Sequence, residues 1–198
     1  MLRDFHVADF ITLGNAACGV GAVFCAMTYV GSEALRYFFA AALLAPVAFA
    51  FDVLDGKVAR ARREHSILGR ELDSLADVIS FGVAPAALAF AAGMRGAIDW
   101  AVLVYFVCCG VSRLARFNVT AEQLSAGGDK VKYFEGTPIP TSVVLVAILA
   151  AFGWAGRIGD ALPGGVWSLG GADVHPLVVL FFLSGSAMIS KTLRIPKI

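Results

Sequence analysis

Two apolar segments of this chain reach the length of a membrane-spanning helix only if they include aspartates. The uncharged run from position 37 to position 51 is shorter than the roughly 20 residues that cross a bilayer core. It must therefore continue through Asp52 and Asp55. The next segment, counted back from Gly93, must begin near Asp73 and so includes Asp77. A carboxylate costs roughly 2.5–3.5 kcal/mol at the centre of a membrane helix and less near the interface, so four of them need a compensating partner.

The composition places these segments in a membrane protein. Hydrophobic residues make up 59% of the 198 residues and charged residues 16%, against roughly 45–50% and 25% in soluble domains. The net charge of +1 argues against an electrostatic nucleic-acid partner. The cysteines show no CxxC or Cys/His spacing and are interpreted as buried thiols. No signal-peptide pattern precedes the first apolar run, so the first helix is expected to stay in the membrane.

The apolar runs predict an all-α integral membrane protein with six transmembrane helices in a single domain, residues 1–198. The predicted spans are approximately residues 10–29, 36–60, 73–93, 99–117, 138–155 and 174–193, and a short interfacial helix is expected within residues 1–9. The segments 118–137 and 156–173 are predicted loops at opposite membrane faces. Continuous apolar runs, instead of alternating ones, argue against a membrane β-barrel.

The basic residues orient these spans. With six spans, every lysine and arginine lies on the same side as the N-terminus except Arg36, Arg95 and Arg157. Positively charged loops remain in the cytoplasm. The sequence therefore predicts a protein of the cell membrane with both termini, and the aspartate-bearing helix ends, on the cytoplasmic side.

The spacing of the aspartates predicts a metal site. Asp52 and Asp55 are three residues apart and Asp73 and Asp77 are four apart, so each pair shares one helix face. Two such helices side by side would bring four carboxylates together. Oxygen ligands without histidine or cysteine favour Mg²⁺ or Mn²⁺ over zinc. The alternative is that the aspartates are interface charges, paired with arginines at positions 60, 62, 63 and 70.

Small residues lie beside these aspartates. Gly56 and Ala59 follow the first pair and Gly69 precedes the second. Small side chains allow a neighbouring backbone or a ligand to approach closely. A flat base could lie there, although helix packing alone also explains such residues.

The segment 52–77 resembles the signature of the CDP-alcohol phosphotransferases. It fills every fixed position of the pattern DxxDGxxAR, eight residues, GxxxDxxxD. The resemblance implies a six-helix membrane fold, usually dimeric, whose site opens to the cytoplasm and holds two divalent cations. In that family the four aspartates are the metal ligands, and the last of them, here Asp77, is the proposed general base. The positions of Gly56, Ala59 and Gly69 line the cytidine site, and Arg60 of the same motif is assigned to the CDP-lipid with them.

Further segments resemble the phosphatidylserine synthase branch of this family. They are residues 12–15, 73–85, 113–118 and 134–140, with Thr137 where leucine is more usual. This similarity implies that the phosphatidyl group of CDP-diacylglycerol, or of the ether lipid CDP-archaeol, is transferred to the hydroxyl of L-serine with release of CMP.

Four more residues are candidates for substrate binding. Arg113 and Arg116 share a helix face and could hold the serine carboxylate in a bidentate pair, or they could bind lipid phosphate or anchor the helix. Thr12 and Asn15 could donate to phosphate oxygens of the CDP-lipid or form hydrogen bonds between helices. His65 is interpreted as a solvated linker residue.

Two other functions remain open at this stage. The acceptor alcohol could be glycerol phosphate or inositol phosphate instead of serine. Outside the family, buried carboxylates could line a cation pathway in a small transporter. A transporter would spread its charges through the membrane, whereas the aspartates here gather at one side.

Overall fold

The computed structural model describes residues 6–62, 66–125 and 133–196, and it is mainly helical. Seven α-helices are found in this part of the chain: α1 Val7–Ser32, α2 Leu35–Arg62, α3 Ile67–Asp77, α4 Ala84–Ala92, α5 Ala97–Ser125, α6 Ser142–Trp154 and α7 Val179–Ile189. A π-helical turn, Val78–Val83, joins α3 to α4 without a break. We refer to it as the π segment.

Four continuous helices are long and apolar enough to cross a membrane: Val7–Ser32, Leu35–Arg62, Ile67–Ala92 and Ala97–Thr120. Two shorter apolar helices, Ile139–Trp154 and Pro176–Ile189, lie at the fifth and sixth predicted positions. The protein is thus an integral membrane protein, and the count of six spans stays a prediction.

The ends of several helices differ from the prediction. Val7–Asp9 belong to α1 itself and residues 1–5 lie outside the described part, so the separate interfacial helix is not confirmed. The third span begins at Ile67, and α5 continues through Ser125 into the predicted loop. Polar residues at these ends continue the helix although they end the apolar run, which is why the spans predicted from hydropathy are too short. His65 lies outside the described residues.

Helix α1 packs along both α2 and α3 through a stripe of small and polar residues. Every third or fourth residue of α1 is buried, and the stripe consists of Ala8, Asp9, Thr12, Asn15, Gly19, Ala22 and Ala26. The inner face of α2 is lined mainly by alanine. Small side chains let membrane helices approach closely. The outward side chains of Phe24, Met27 and Leu43 are exposed, as expected of a lipid-facing surface.

The π segment separates the aspartates of α3 from Pro85. The amide of Ala84 donates to the carbonyl of Ile79 five residues earlier. Proline lacks an N–H and its ring clashes with the carbonyl four residues before it. A widened turn accommodates both effects inside a continuous helix.

Four three-residue strands, which the apolar pattern did not predict, form two small antiparallel pairs. Strand β1 (Tyr133–Glu135) pairs with β4 (Arg194–Pro196). Strand β2 (Trp167–Leu169) pairs with β3 (Ala172–Val174). The turn between β2 and β3 is Gly170-Gly171, and both residues have positive φ, as the tight hairpin turn requires.

A buried aspartate ties the β2–β3 hairpin to the start of α5. Asp99 Oδ1 accepts the backbone N–H of His175 at 2.9 Å, and Asp99 Oδ2 accepts that of Gly96 at 3.0 Å. The same Oδ2 lies 2.7 Å from His175 Nδ1. A Cβ at Gly96 would collide with the carbonyl oxygen of Asp173. We call Asp99, His175 and Gly96 the hairpin anchor.

Candidate active site

Four aspartates gather where α2 ends and α3 runs. Asp52, Asp55 and Asp73 each offer a carboxylate oxygen, and these oxygens lie within 4.8 Å of one another. Asp77 joins them, because its carboxyl group is within hydrogen-bonding reach of that of Asp52. Asp55 and Asp77 are each only 6% exposed. We call these four residues the aspartate cluster.

The helix packing around the cluster differs from the prediction that α2 and α3 lie side by side. Helix α1 packs extensively on both α2 and α3, whereas α2 and α3 come close to each other at few backbone positions. The carboxylates of α2 and α3 therefore converge beside α1. The polar stripe of α1 lies beneath them.

Two residues of that stripe bond directly to the cluster. The Thr12 hydroxyl donates to Asp55 Oδ2 at 2.6 Å. Asn15 Nδ2 donates to Asp77 Oδ1 at 3.2 Å. Both side chains are buried, and both contacts join helices, as one of the two sequence interpretations held. Binding of phosphate oxygens by Thr12 and Asn15 remains a prediction.

Arginines do not neutralise the cluster in the part of the chain that the structure describes. Arg60 and Arg62 are exposed, and Arg63 lies outside the described residues. Arg70 lies 3.8 Å from Glu71 instead. Within those residues, no lysine or arginine forms an ion pair with any of the four aspartates. This arrangement weighs against interface charges paired with arginine and favours an external cation.

The donor set fits a hard divalent cation. Asp73 Oδ1 is buried and has no hydrogen-bond partner. A buried carboxylate oxygen without a partner is costly, and a bound cation would satisfy it. The grouped ligands are all carboxylate oxygens, which suit Mg²⁺ or Mn²⁺ better than softer metals.

The two glycines of the signature have different surroundings. A Cβ at Gly56 would meet no atom within 4 Å, so open space lies over this residue. A Cβ at Gly69 would come within 2.9 Å of Asp9 Oδ1 and 3.0 Å of Ser66 Oγ. Packing therefore accounts for Gly69, whereas contacts within the protein do not account for Gly56. Ala59, one turn after Gly56, is partly buried.

The two arginines of α5 have separate environments. Arg113 is partly buried, its Nε has no hydrogen-bond partner, and it is near enough to Asp77 for their charges to interact. Arg116 donates to the carbonyls of Ile189 at 3.3 Å and Met188 at 3.5 Å. Arg116 therefore holds the end of α7, and Arg113 is the arginine that faces the cluster.

Sequence reasoning missed several polar residues of this region. Asp9 is 2% exposed and was not among the candidate residues, although it precedes Thr12 by three residues on the same face of α1. Ser80, 1% exposed, donates to the carbonyl of Asn15 at 2.8 Å. Asn118 Nδ2 donates to Ser74 Oγ at 3.0 Å. The partners of Ser80 and Asn118 lie on other helices, so no local pattern could have found them.

The protein combines apolar helices long enough to cross a membrane with a group of carboxylates that could hold a metal ion. This combination is typical of a membrane protein with a polar functional site. The sequence model of the CDP-alcohol phosphatidyltransferase family matches residues 5–182. The chain belongs to this family, as its signature indicated.

Several characterised proteins are similar along much of the chain. CDP-diacylglycerol–serine O-phosphatidyltransferase of Saccharomyces cerevisiae is 44% identical over 200 residues, which span the whole chain and 72% of the yeast protein. The Helicobacter pylori protein of the same name is 39% identical over 71% of the chain and 55% of its own length. Archaetidylserine synthase of Methanothermobacter thermautotrophicus is 42% identical over 62% of the chain and 51% of its own length. The chain thus matches about half the length of the last two.

Proposed function

We propose that this protein transfers the phosphatidyl group of CDP-diacylglycerol, or of the ether lipid CDP-archaeol, to the hydroxyl of L-serine and releases CMP. The observation that carries the proposal is the aspartate cluster, with its unpartnered buried oxygen on Asp73. The relatives named as serine and archaetidylserine enzymes support the acceptor and leave both lipids open.

Asp52, Asp55, Asp73 and Asp77 would hold two divalent cations, Mg²⁺ or Mn²⁺. When bound, such cations neutralise the diphosphate of the substrate and stabilise charge on the entering and leaving oxygens. The Thr12 hydroxyl orients Asp55 from beneath the cluster.

The open space over Gly56 is suited to the cytidine of the CDP-lipid. The absence of a Cβ there leaves room that no part of the described protein fills. Ala59 and Arg60 lie at the end of α2 and Gly69 at the start of α3, and we assign them to the same substrate because they belong to the same signature. The nucleotide would then lie beside the cluster with its diphosphate over the carboxylates.

Asp77 is the proposed general base. Its carboxylate would accept the proton of the serine hydroxyl. The serine oxygen forms its bond to the lipid-side phosphorus as that proton leaves, and the bond from this phosphorus to CMP breaks. Burial of Asp77 keeps bulk water from competing with the acceptor.

Arg113 is the better candidate for the serine carboxylate. Its guanidinium has a free Nε and lies near Asp77, where the acceptor hydroxyl must be. A planar guanidinium can bind a carboxylate through two parallel hydrogen bonds. Arg116, predicted for the same role, is occupied by carbonyls of α7.

The distribution of basic residues supports a membrane arrangement. We propose a six-span protein of the cell membrane, with the cluster and both termini facing the cytoplasm, where serine and a water-soluble CMP product are available. A homodimer within the surrounding lipids is the expected assembly.

The test is CMP release by the purified chain in lipid nanodiscs that contain CDP-diacylglycerol and Mg²⁺ or Mn²⁺. L-Serine, glycerol phosphate and inositol phosphate are supplied in turn. We expect release to depend on serine and to stop in excess chelator. Release with another alcohol but not with serine would reassign the acceptor. Cation uptake into vesicles without any CMP release would instead indicate the transporter.

A further inference from the structure

Asn15 lies at the centre of the polar stripe of α1, with 0% of its surface exposed. Its Nδ2 donates to Asp77 Oδ1 at 3.2 Å. We propose that Asn15 is a positioning residue for Asp77, holding one carboxylate oxygen so that the other faces the acceptor alcohol. This inference rests on the proposed function of Asp77 as the base.

A contact between α1 and the π segment fixes the backbone position of Asn15. The backbone carbonyl of Asn15 accepts a 2.8 Å hydrogen bond from Ser80 Oγ, and Ser80 belongs to the π segment that directly follows Asp77. One turn along α1, a Cβ at Gly19 would lie 2.5 Å from Ser80 Oγ and 2.8 Å from Ser80 Cα. The backbones of α1 and the π segment are therefore in contact. This contact fixes the level of Asn15 relative to Asp77.

Packing alone does not explain an amide at this position. Asn15 Oδ1 is buried and has no hydrogen-bond partner. A leucine of similar size would fill the space without burying an amide oxygen that has no hydrogen-bond donor, which is costly. The orientation of the amide is set by its neighbour, because only the NH₂ group can donate to a carboxylate. The feature that an asparagine supplies here is the N–H directed at Asp77.

The first experiment compares Asn15→Leu with the wild type in the serine-dependent assay. Partners that orient a reacting group typically change activity by about 10–100-fold. We expect kcat to fall by that factor while the Kd for CDP-diacylglycerol stays within about twofold of wild type. Thr28→Val is the matched control, since this exposed hydroxyl of α1 bonds only to the carbonyl of Phe24. Weaker CDP-lipid binding with unchanged kcat would overturn the inference and assign Asn15 to the lipid substrate.

A double-mutant cycle tests whether Asn15 acts through Asp77. If it does, Asn15→Leu has no further effect on kcat in an Asp77→Asn background. Losses that multiply would overturn the inference. If Asn15→Leu does not fold, Ser80→Ala is used instead, because it removes the hydrogen bond to the backbone carbonyl of Asn15. This variant must lower kcat without weakening CDP-lipid binding. An unchanged kcat in a folded Ser80→Ala protein would also overturn it.

An infrared measurement separates this inference from the proposed function. The carboxyl band of Asp77 is identified by its loss in Asp77→Asn, and it must shift in Asn15→Leu because a hydrogen bond is removed. A band that does not move overturns the positioning role. This measurement needs no turnover, so it can be made even if the wild type releases no CMP with serine. Absence of CMP release would contradict the proposed function and would leave the positioning role to be decided by the infrared band.

Discussion

The protein buries carboxylates at both ends of its helical bundle, and the two groups differ in their hydrogen-bond partners. At the hairpin anchor, Asp99 receives two backbone N–H groups and the ring of His175. In the aspartate cluster, Asp52, Asp55 and Asp73 point their oxygens at one another, and Asp73 Oδ1 has no partner. The two regions lie near opposite ends of the membrane helices, since Asp99 begins α5 and Arg113, near Asp77, lies towards its other end.

The difference indicates what each carboxylate is for. A buried charge must be paired or bind a metal. The chain supplies all the partners of Asp99, which then contributes to the fold. In the described part of the chain, the cluster gathers like charges and has no lysine or arginine in an ion pair with it, so these residues do not supply the compensating charge. An acidic site that the protein leaves unpaired is suited to a cation and a reaction, whereas a fully paired one is structural.

The largest effect is expected from Asp73→Ala. Loss of a direct metal ligand should lower CMP release by more than about 100-fold, the upper end for residues that only support ligands. In metal-free protein the same change should leave the unfolding temperature unchanged or raise it, because it removes a repelling charge. Activity and unfolding of the two proteins are measured in EDTA and in Mn²⁺. Full turnover in excess chelator would contradict the metal site.

Asp77→Asn separates the base from a ligand within the cluster. Asparagine retains an oxygen for a metal and cannot accept the proton. We expect kcat to fall by about 10²–10⁴-fold, as for loss of a general base, with CDP-lipid binding near normal. The measurement is kcat against metal concentration. Recovery to within a few-fold of wild type at saturating metal would show that Asp77 is chiefly a ligand.

Asp99→Ala should affect the fold and leave the chemistry alone. Each buried N–H group left without an acceptor typically costs about 1–3 kcal/mol, and the N–H groups of Gly96 and His175 would lose theirs. We expect unfolding at a lower denaturant concentration, with normal CMP release per folded molecule. Asp173→Ala, an exposed change on β3, is the control. Unchanged stability of Asp99→Ala would contradict the structural role of the hairpin anchor.

Gly56→Ala tests the space beside the cluster. The new methyl group meets no protein atom within 4 Å, so folding should be unaffected. If cytidine occupies that space, the KM for CDP-diacylglycerol should rise by about tenfold, the lower range for one misplaced methylene-sized group. Gly31→Ala, also in a helix and in open space, is the matched control. Equal KM values for the two variants would show that no substrate approaches Gly56.

The smallest effects are expected at the two arginines of α5. Arg113→Lys keeps the charge and loses the planar fork, so the KM for serine should rise several-fold while that for the CDP-lipid changes little. Arg116→Lys should mainly weaken the attachment of α7 to α5, seen as lower thermal stability. A larger rise in the KM for serine in Arg116→Lys would reverse the two assignments.

The sequence was sufficient to predict each aspartate pair, because the spacing of three and four residues places both members of a pair on one face of a single helix. The membrane character and the six apolar segments followed from composition in the same way. For Thr12 and Asn15 the sequence offered hydrogen bonds between helices as one interpretation, but the partner residues of Thr12, Asn15 and Ser80 could not be predicted, since they lie on other elements. The hairpin anchor was missed for the same reason: 76 positions separate Asp99 from His175. The π segment lies between α3 and α4 within one continuous helix. A hydropathy pattern does not distinguish a π-helical turn from an α-helical one, so this turn could not be predicted.

The short sixth and seventh α-helices have a consequence for the bilayer around them. Helices α6 and α7 have 13 and 11 residues, or about 20 Å and 17 Å of rise, and one 3₁₀ turn before each adds about 6 Å. The hydrocarbon core of a typical bilayer is about 30 Å thick. In the six-span arrangement, lipids beside these helices must be compressed relative to those around α1 and α2. The protein should therefore sit more favourably in thin membranes than in thick ones.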